Sequence, residues 1–246
     1  MYPQTHIYFA EWITGAKGDP VTMGSILPDI MNGSLFNHYD SHSKGEEIYT
    51  FLKGHNTLLT FGKAVLTHGF APKGLDYYGD EKYLDFEKGY CFEKARPLIT
   101  ETVEACNIPH SMGWWKAHNI VEMGVELLVS SWDFYSERFQ NAFANRVLIS
   151  EVDEMFHDLW KDNNMNFSGR VKKFAGVIEQ NKADAESLAK KYRLQMLNKH
   201  KIEIDTRKVA LLIDKAAAIV NTELRQFFSV TGELVKNNIT GFTQGN

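Results

Sequence analysis

Two cysteines, Cys91 and Cys106, are too few for a disulfide framework, and their spacing is not that of a Cys-x-x-Cys zinc or redox motif. A reducing compartment is therefore expected, with the cytoplasm as the default. Long apolar runs are also missing. No stretch approaches the roughly 20 residues that cross a bilayer, and His6 and Glu11 interrupt the amino-terminal segment that a signal peptide would need. Neither export nor a transmembrane segment is expected. There is no basic excess: 27 Lys and Arg are dispersed among 31 Asp and Glu, for a formal net charge of -4. That balance argues against the basic surface that tracks a phosphate backbone, so nucleic-acid recognition is not expected.

Alternating strand-like stretches and tight hairpin signals are scarce, whereas apolar residues recur at steps of three and four, so the fold class is all-α. The pattern predicts helices over about 5–15, 44–53, 56–70, 86–105, 111–140, 147–160, 166–178, 181–199 and 205–236. The last is the clearest, with Asp205 or Thr206 as its cap and an apolar stripe through Val209, Leu212, Ala216, Ile219, Leu224 and Phe227. Two segments read as loops, 18–45 with its Gly, Pro, Asn and Asp, and 69–83 with its Gly and Tyr. Beyond about residue 145 the composition shifts to Lys, Glu, Asn and Leu, and histidine becomes rare. The expected organisation is a helical core over 1–145 that carries the chemistry, and a helical extension over 146–246 packed on the same domain.

Within "WWKAHNIVEMGVELL", His118 and Glu122 lie four apart on a stripe shared with Val125 and Val129. A carboxylate carried inward needs a cation or a donor, and a metal ion is one such partner. Seven of the nine histidines precede residue 120. His6 begins an amphipathic helix, His38 and His42 flank Asp40, and His68 ends "LLTFGKAVLTHG". Asp29 follows Pro28 in "GSILPDI", fixed at the end of an apolar segment. Histidine nitrogen and carboxylate oxygen are the ligands that zinc and other borderline divalent ions take.

In order along the chain, "THIYFAEW", "GSILPDI", the following histidine, "GKAVLTHG" and "AHNIVEMGVELL" resemble the bacterial zinc-dependent phospholipase C family, whose wider superfamily includes the P1-type nucleases. The resemblance covers roughly residues 1 to 130. It implies a multi-helical bundle, here with additional carboxy-terminal helices, and metal-dependent hydrolysis of a phosphoester, a phospholipid headgroup or a smaller phosphodiester. Carried over by position, the metal ligands are His6, Asp29, His42 or alternatively His38, His68, His118 and Glu122. If metal binds, Asp29 is either a ligand or the catalytic base that orients the water. Two positions where the family carries ligands hold Pro72 and Tyr78 instead; Asp76 is a replacement for one of them and Asp80 a weaker one. One or two zinc ions, or another divalent metal, are therefore expected rather than three. Asp40, Asn119 and Glu126 are candidate acceptors for the outer ring nitrogens of the histidines.

Plainer roles stand beside each of these. His118 and Glu122 can form a hydrogen-bonded core pair, His6 and His68 can pack or cap, and Asp29 can cap a turn. His55, His110 and His200 have no accompanying carboxylate pattern and are set aside. His157 followed by Asp158 raises the helical HD-type phosphohydrolases as a minor reading, and "GLDYYGDEKY" an acidic aromatic rim for a choline-like cation. No G-x-S-x-G nucleophile elbow is present. The rival to a hydrolase is a non-catalytic helical protein that keeps an incomplete metal site and binds a ligand or partner.

Overall fold

The computed structural model describes residues 1–33, 36–54, 56–161 and 166–243. Among them the secondary structure is helical, with no β-strand and one isolated bridge between Asn32 and Phe36. The helices are α1 (Pro3–Thr14), α2 (Asp19–Ser25), α3 (Leu27–Met31), α4 (His38–His42), α5 (Gly45–Leu52), α6 (Leu59–Val65), α7 (Tyr90–Ala95), α8 (Ile99–Cys106), α9 (Gly113–Val129), α10 (Tyr135–Ala144), α11 (Arg146–Trp160), α12 (Phe167–Val177), α13 (Ala185–His200), α14 (Thr206–Val220) and α15 (Leu224–Thr243). No helix among the described residues is long and apolar enough to cross a membrane. His55 lies outside the described residues.

The all-α expectation holds, and the differences are local. The segment read as a loop over 18–45 contains α2, α3 and α4, because Pro20 and Pro28 stand in first helical turns, where proline lacks nothing the helix needs. The single helix expected over 111–140 breaks after Val129: Ser130 and Ser131 turn their hydroxyls back onto the Leu127 and Leu128 carbonyls. That expected over 205–236 breaks between α14 and α15 at Asn221. The Asp205 cap is present, its carboxylate accepting from the Arg207 and Lys208 amides at 3.0 and 3.1 Å.

The chain forms two compact units, each drawing on early and late segments. The first comprises Met1–Thr5, Asp76–Phe134 and Val177–Thr231. There α9 packs against α14, α7, α8 and α13. Its Val121, Val125 and Val129 are fully buried, as are Val209, Ile213 and Val220 of α14. Each such aliphatic side chain contributes roughly 1.5–3 kcal/mol. Glu126 of α9, buried among them, accepts from the Gln4 amide at 2.9 Å and from the Thr5 amide and hydroxyl at 2.8 Å. It thereby takes up first-turn donors of α1 that have no partner inside the helix.

The second unit comprises His6–Leu75, Tyr135–Gly176 and Gly232–Asn246. Here α2 packs on α6 and α10, α5 on α6, and α3 on α4. The α2 and α6 backbones approach so closely that a Cβ on Gly24 would stand 2.3 Å from the Phe61 carbonyl oxygen. Ala10, Val21 and Ala64 fill the remaining space.

Candidate metal centre

In the second unit, three residues far apart in sequence meet: Asp29 from α3, His42 from the end of α4, and His68 from the turn after α6. One ligand atom from each lies within 4.8 Å of the others. His42 Nε2 is 3.6 Å from Asp29 Oδ1. The approach depends on Gly69, where a Cβ would stand 2.0 Å from the His42 carbonyl oxygen, and that same oxygen accepts from the Phe70 amide at 2.7 Å. Without a side chain at 69, the turn carrying His68 lies directly on the backbone of His42.

The ring nitrogens of both histidines are assigned by their outer partners. His68 Nδ1 is 2.5 Å from the Ser25 carbonyl oxygen, and His42 Nδ1 is 2.8 Å from the His38 carbonyl oxygen. A carbonyl only accepts, so each Nδ1 carries a proton and donates. In the neutral ring the lone pair then sits on Nε2. Ser41 Oγ, 2.9 Å from His42 Nδ1, also donates to the His38 carbonyl. Burial alone would raise the Asp29 carboxyl; the neighbouring imidazoles in their protonated forms, His42 first and then His68 and His6, hold it well below the usual carboxylate range, and a cation taken up at the ring nitrogens would replace those protons.

His6, buried on α1, stacks on His68 with centroids 3.6 Å apart and planes at 9°. His38 stands at the exposed start of α4, its ring 4.0 Å from that of His42. Spacing left His38 and His42 as alternatives; the structure brings His42 into the group with Asp29 and His68.

In the first unit, Asp80, His118 and Glu122 form a second group of potential ligands within 4.8 Å of one another. Asp76 joins them through the Met1 ammonium, which donates to Asp76 Oδ1 at 2.7 Å and to Glu122 Oε1 at 2.8 Å. Asp76 and Asp80 are positioned by a π-helical turn over Tyr77–Glu81, in the segment read as a Gly- and Tyr-rich loop. Burial and the neighbouring Glu122 and Asp76 push the Asp80 carboxyl well up, while the ammonium and His118 hold Glu122 low against its own burial. The contact with Glu122 itself favours the protonated form of Asp80. His118 stacks on Phe92 with centroids 4.0 Å apart, and burial lowers it to about 4, so it is neutral at neutral pH.

The expected outer acceptors act differently. Asp40 is exposed and pairs with Asn37, and Glu126 serves the first turn of α1. Asn119 directs its amide nitrogen to His118 Nε2 at 3.2 Å and to Glu122 Oε2 at 3.3 Å. The acceptors that hold His42 and His68 are main-chain carbonyls, which no side-chain pattern announces.

Other candidates separate from these groups. His157 and Asp158 are exposed on α11 and belong to no group of potential ligands among the described residues, which leaves the HD-type reading without a cluster. Burial pushes the Cys91 thiol well up and that of Cys106 to about 12, which removes both as nucleophiles. Trp114 donates to the Phe92 carbonyl at 2.7 Å. No protein-family model, no curated protein and no solved structure matches the chain.

Proposed function

We propose that the protein is a metal-dependent phosphoester hydrolase whose ion, zinc or another borderline divalent cation, is held by Asp29, His42 and His68. One observation carries this reading: two buried imidazoles, each with Nδ1 committed to a main-chain carbonyl, bring a ligand atom within 4.8 Å of each other and of a carboxylate oxygen. A set of two nitrogens and one oxygen leaves a coordination position open, the arrangement of a catalytic rather than a structural zinc site. Tetrahedral donors at zinc stand roughly 3.3 Å apart, given bonds of about 2 Å, and His42 Nε2 and Asp29 Oδ1 are 3.6 Å apart.

When bound, such an ion lowers the pKa of water towards about 7 and polarises the phosphoryl oxygen. The chain supplies the rest. The Ser25 and His38 carbonyls fix the orientation of the two rings, and Asp29, whose side chain is partly exposed, would orient a water at the ion through the carboxylate oxygen that it does not give to the metal. The group of Asp76, Asp80 and Glu122 with His118 holds the Met1 ammonium, which a second cation would have to displace. The order of motifs resembling zinc-dependent phospholipase C supports a small-molecule or lipid phosphoester as substrate. The non-catalytic alternative draws on Pro72 and Tyr78, which offer no ligand where that family has one.

The test is metal analysis of protein purified without a histidine tag, with hydrolysis of bis(p-nitrophenyl) phosphate measured alongside. The expected result is bound zinc, lost together with activity in His42→Ala and His68→Ala variants whose helical circular dichroism is retained. Folded protein that takes up no metal on dialysis against zinc overturns the proposal.

A further inference from the structure

We propose that the outer face of α13, together with the Trp115 indole beside its end, is a docking surface for an anionic lipid bilayer. The surface lies within the first unit and does not depend on metal. From Ser187 to Ile202 the chain carries five Lys and Arg and no Asp or Glu, against a net charge of -4 for the whole. α13 buries Leu188, Ala189, Tyr192 and Met196 and packs on α14 and α9. Lys190, Leu194, Leu197 and Lys201, at i, i+4, i+7 and i+11, follow one line along the opposite face. Leu194 and Leu197 are 38 % and 36 % exposed, so two leucines meet solvent between two exposed lysines.

Trp115 of α9 extends this surface. Its side chain belongs to a residue 46 % exposed and is held from two directions. His200, the last residue of α13, meets the indole edge-on with centroids 5.5 Å apart and planes at 86°, and Lys116 Nζ stands 3.6 Å from the ring centroid. Lys116 Nζ is also 2.9 Å from His200 Nε2, which ties the end of α13 to α9. Aliphatic side chains and an indole enter the boundary between headgroups and acyl chains, and the ammonium groups that frame them meet lipid phosphates. Lys190 pairs with Glu186 and Arg193 with Glu203, but all four side chains remain exposed, and such pairs hold a cation weakly. Charge complementarity therefore favours an anionic partner. A second copy of the chain would set this lysine-framed line against its own counterpart across a two-fold axis. The leucines stand on the convex outer side of a helix, a shape that a deformable headgroup layer can follow.

The test is co-sedimentation of the full chain with vesicles of phosphatidylcholine alone and of phosphatidylcholine containing about 30 % phosphatidylserine. Binding is expected to the mixed vesicles only, and to weaken as added salt screens the surface charge. Lys190→Gln and Lys201→Gln should each weaken it about fivefold, the fold-change that corresponds to about 1 kcal/mol per cation near the surface. Leu194→Ser combined with Leu197→Ser should weaken it about tenfold, with helical circular dichroism retained because both side chains are exposed. Tryptophan emission should move to shorter wavelength on binding, and less so in Trp115→Phe. Absence of binding to the mixed vesicles overturns the proposal, as does binding that the leucine and lysine substitutions leave unchanged. A dimer in sedimentation velocity that the leucine substitutions abolish assigns the face to a second copy. Equally strong binding of polyglutamate assigns it to an acidic polypeptide, and either result overturns the lipid assignment.

Discussion

Replacing Glu126 by glutamine tests how α9 holds the first turn of α1. The carboxyl is 1 % exposed and accepts three hydrogen bonds, from the Gln4 amide and from the Thr5 amide and hydroxyl. Burial pushes it from an ordinary value of 4.5 up to about 7, although the three donors pull it down. Its folded pKa thus lies above its unfolded one. The stability linked to this group is fully present below about pH 4.5 and is lost as pH rises through about 7. At about 1.4 kcal/mol per pH unit, the loss amounts to roughly 3 kcal/mol by pH 8. Glutamine does not titrate, and its single oxygen serves fewer donors, which costs about 1–2 kcal/mol at every pH. Urea unfolding of both proteins at pH 5, 6, 7 and 8 should show the parent more stable at pH 5. Its advantage should disappear or reverse by pH 8. A difference that stays flat, or that grows in favour of the parent with rising pH, would mean that the donors and the helix end keep Glu126 ionised throughout, and would refute the reasoning.

Three further outcomes follow from the two ligand groups. Gly69→Ala sets a Cβ against the His42 carbonyl and should cost about 3 kcal/mol in urea unfolding, with a weakened zinc affinity even where the protein remains folded. Asp80→Asn should shift the melting temperature of metal-free protein less than Glu122→Gln does, because burial and the neighbouring Glu122 and Asp76 already disfavour the charged form of Asp80. Glu122→Gln should lower it by several degrees, because it removes a carboxylate from the buried Met1 ammonium.

Long helices with a continuous apolar stripe were legible in the sequence: α9 through Val121, Val125 and Val129, and α14 through Val209, Leu212 and Ala216. Short helices were not. In α2 and α3 the prolines that punctuate a loop also begin a helix, and five to seven residues are too few to establish a period. At the candidate site, residue type and order singled out Asp29, His68, His118 and Glu122. Spacing could not separate His38 from His42, since both lie on one face of the same short helix and differ only in burial and in the partner of Nδ1. Asp80 ranked below Asp76 because nothing in "GLDYYGDEKY" signals a π-helical turn, which sets where the residues following Asp76 fall. The tie from Glu126 to Thr5 was equally hidden, since it joins residues 121 apart through main-chain donors.

The orientation of His42 and His68 has a consequence for how the site endures sequence change. Carbonyl oxygens at positions 25 and 38 are supplied by every amino acid, so drift at either position leaves the tautomers of the two imidazoles unaltered as long as the backbone keeps its path. The instruction is written in the trace of the chain and not in its alphabet. Position 38 accordingly serves His42 through its main chain, whatever side chain it carries.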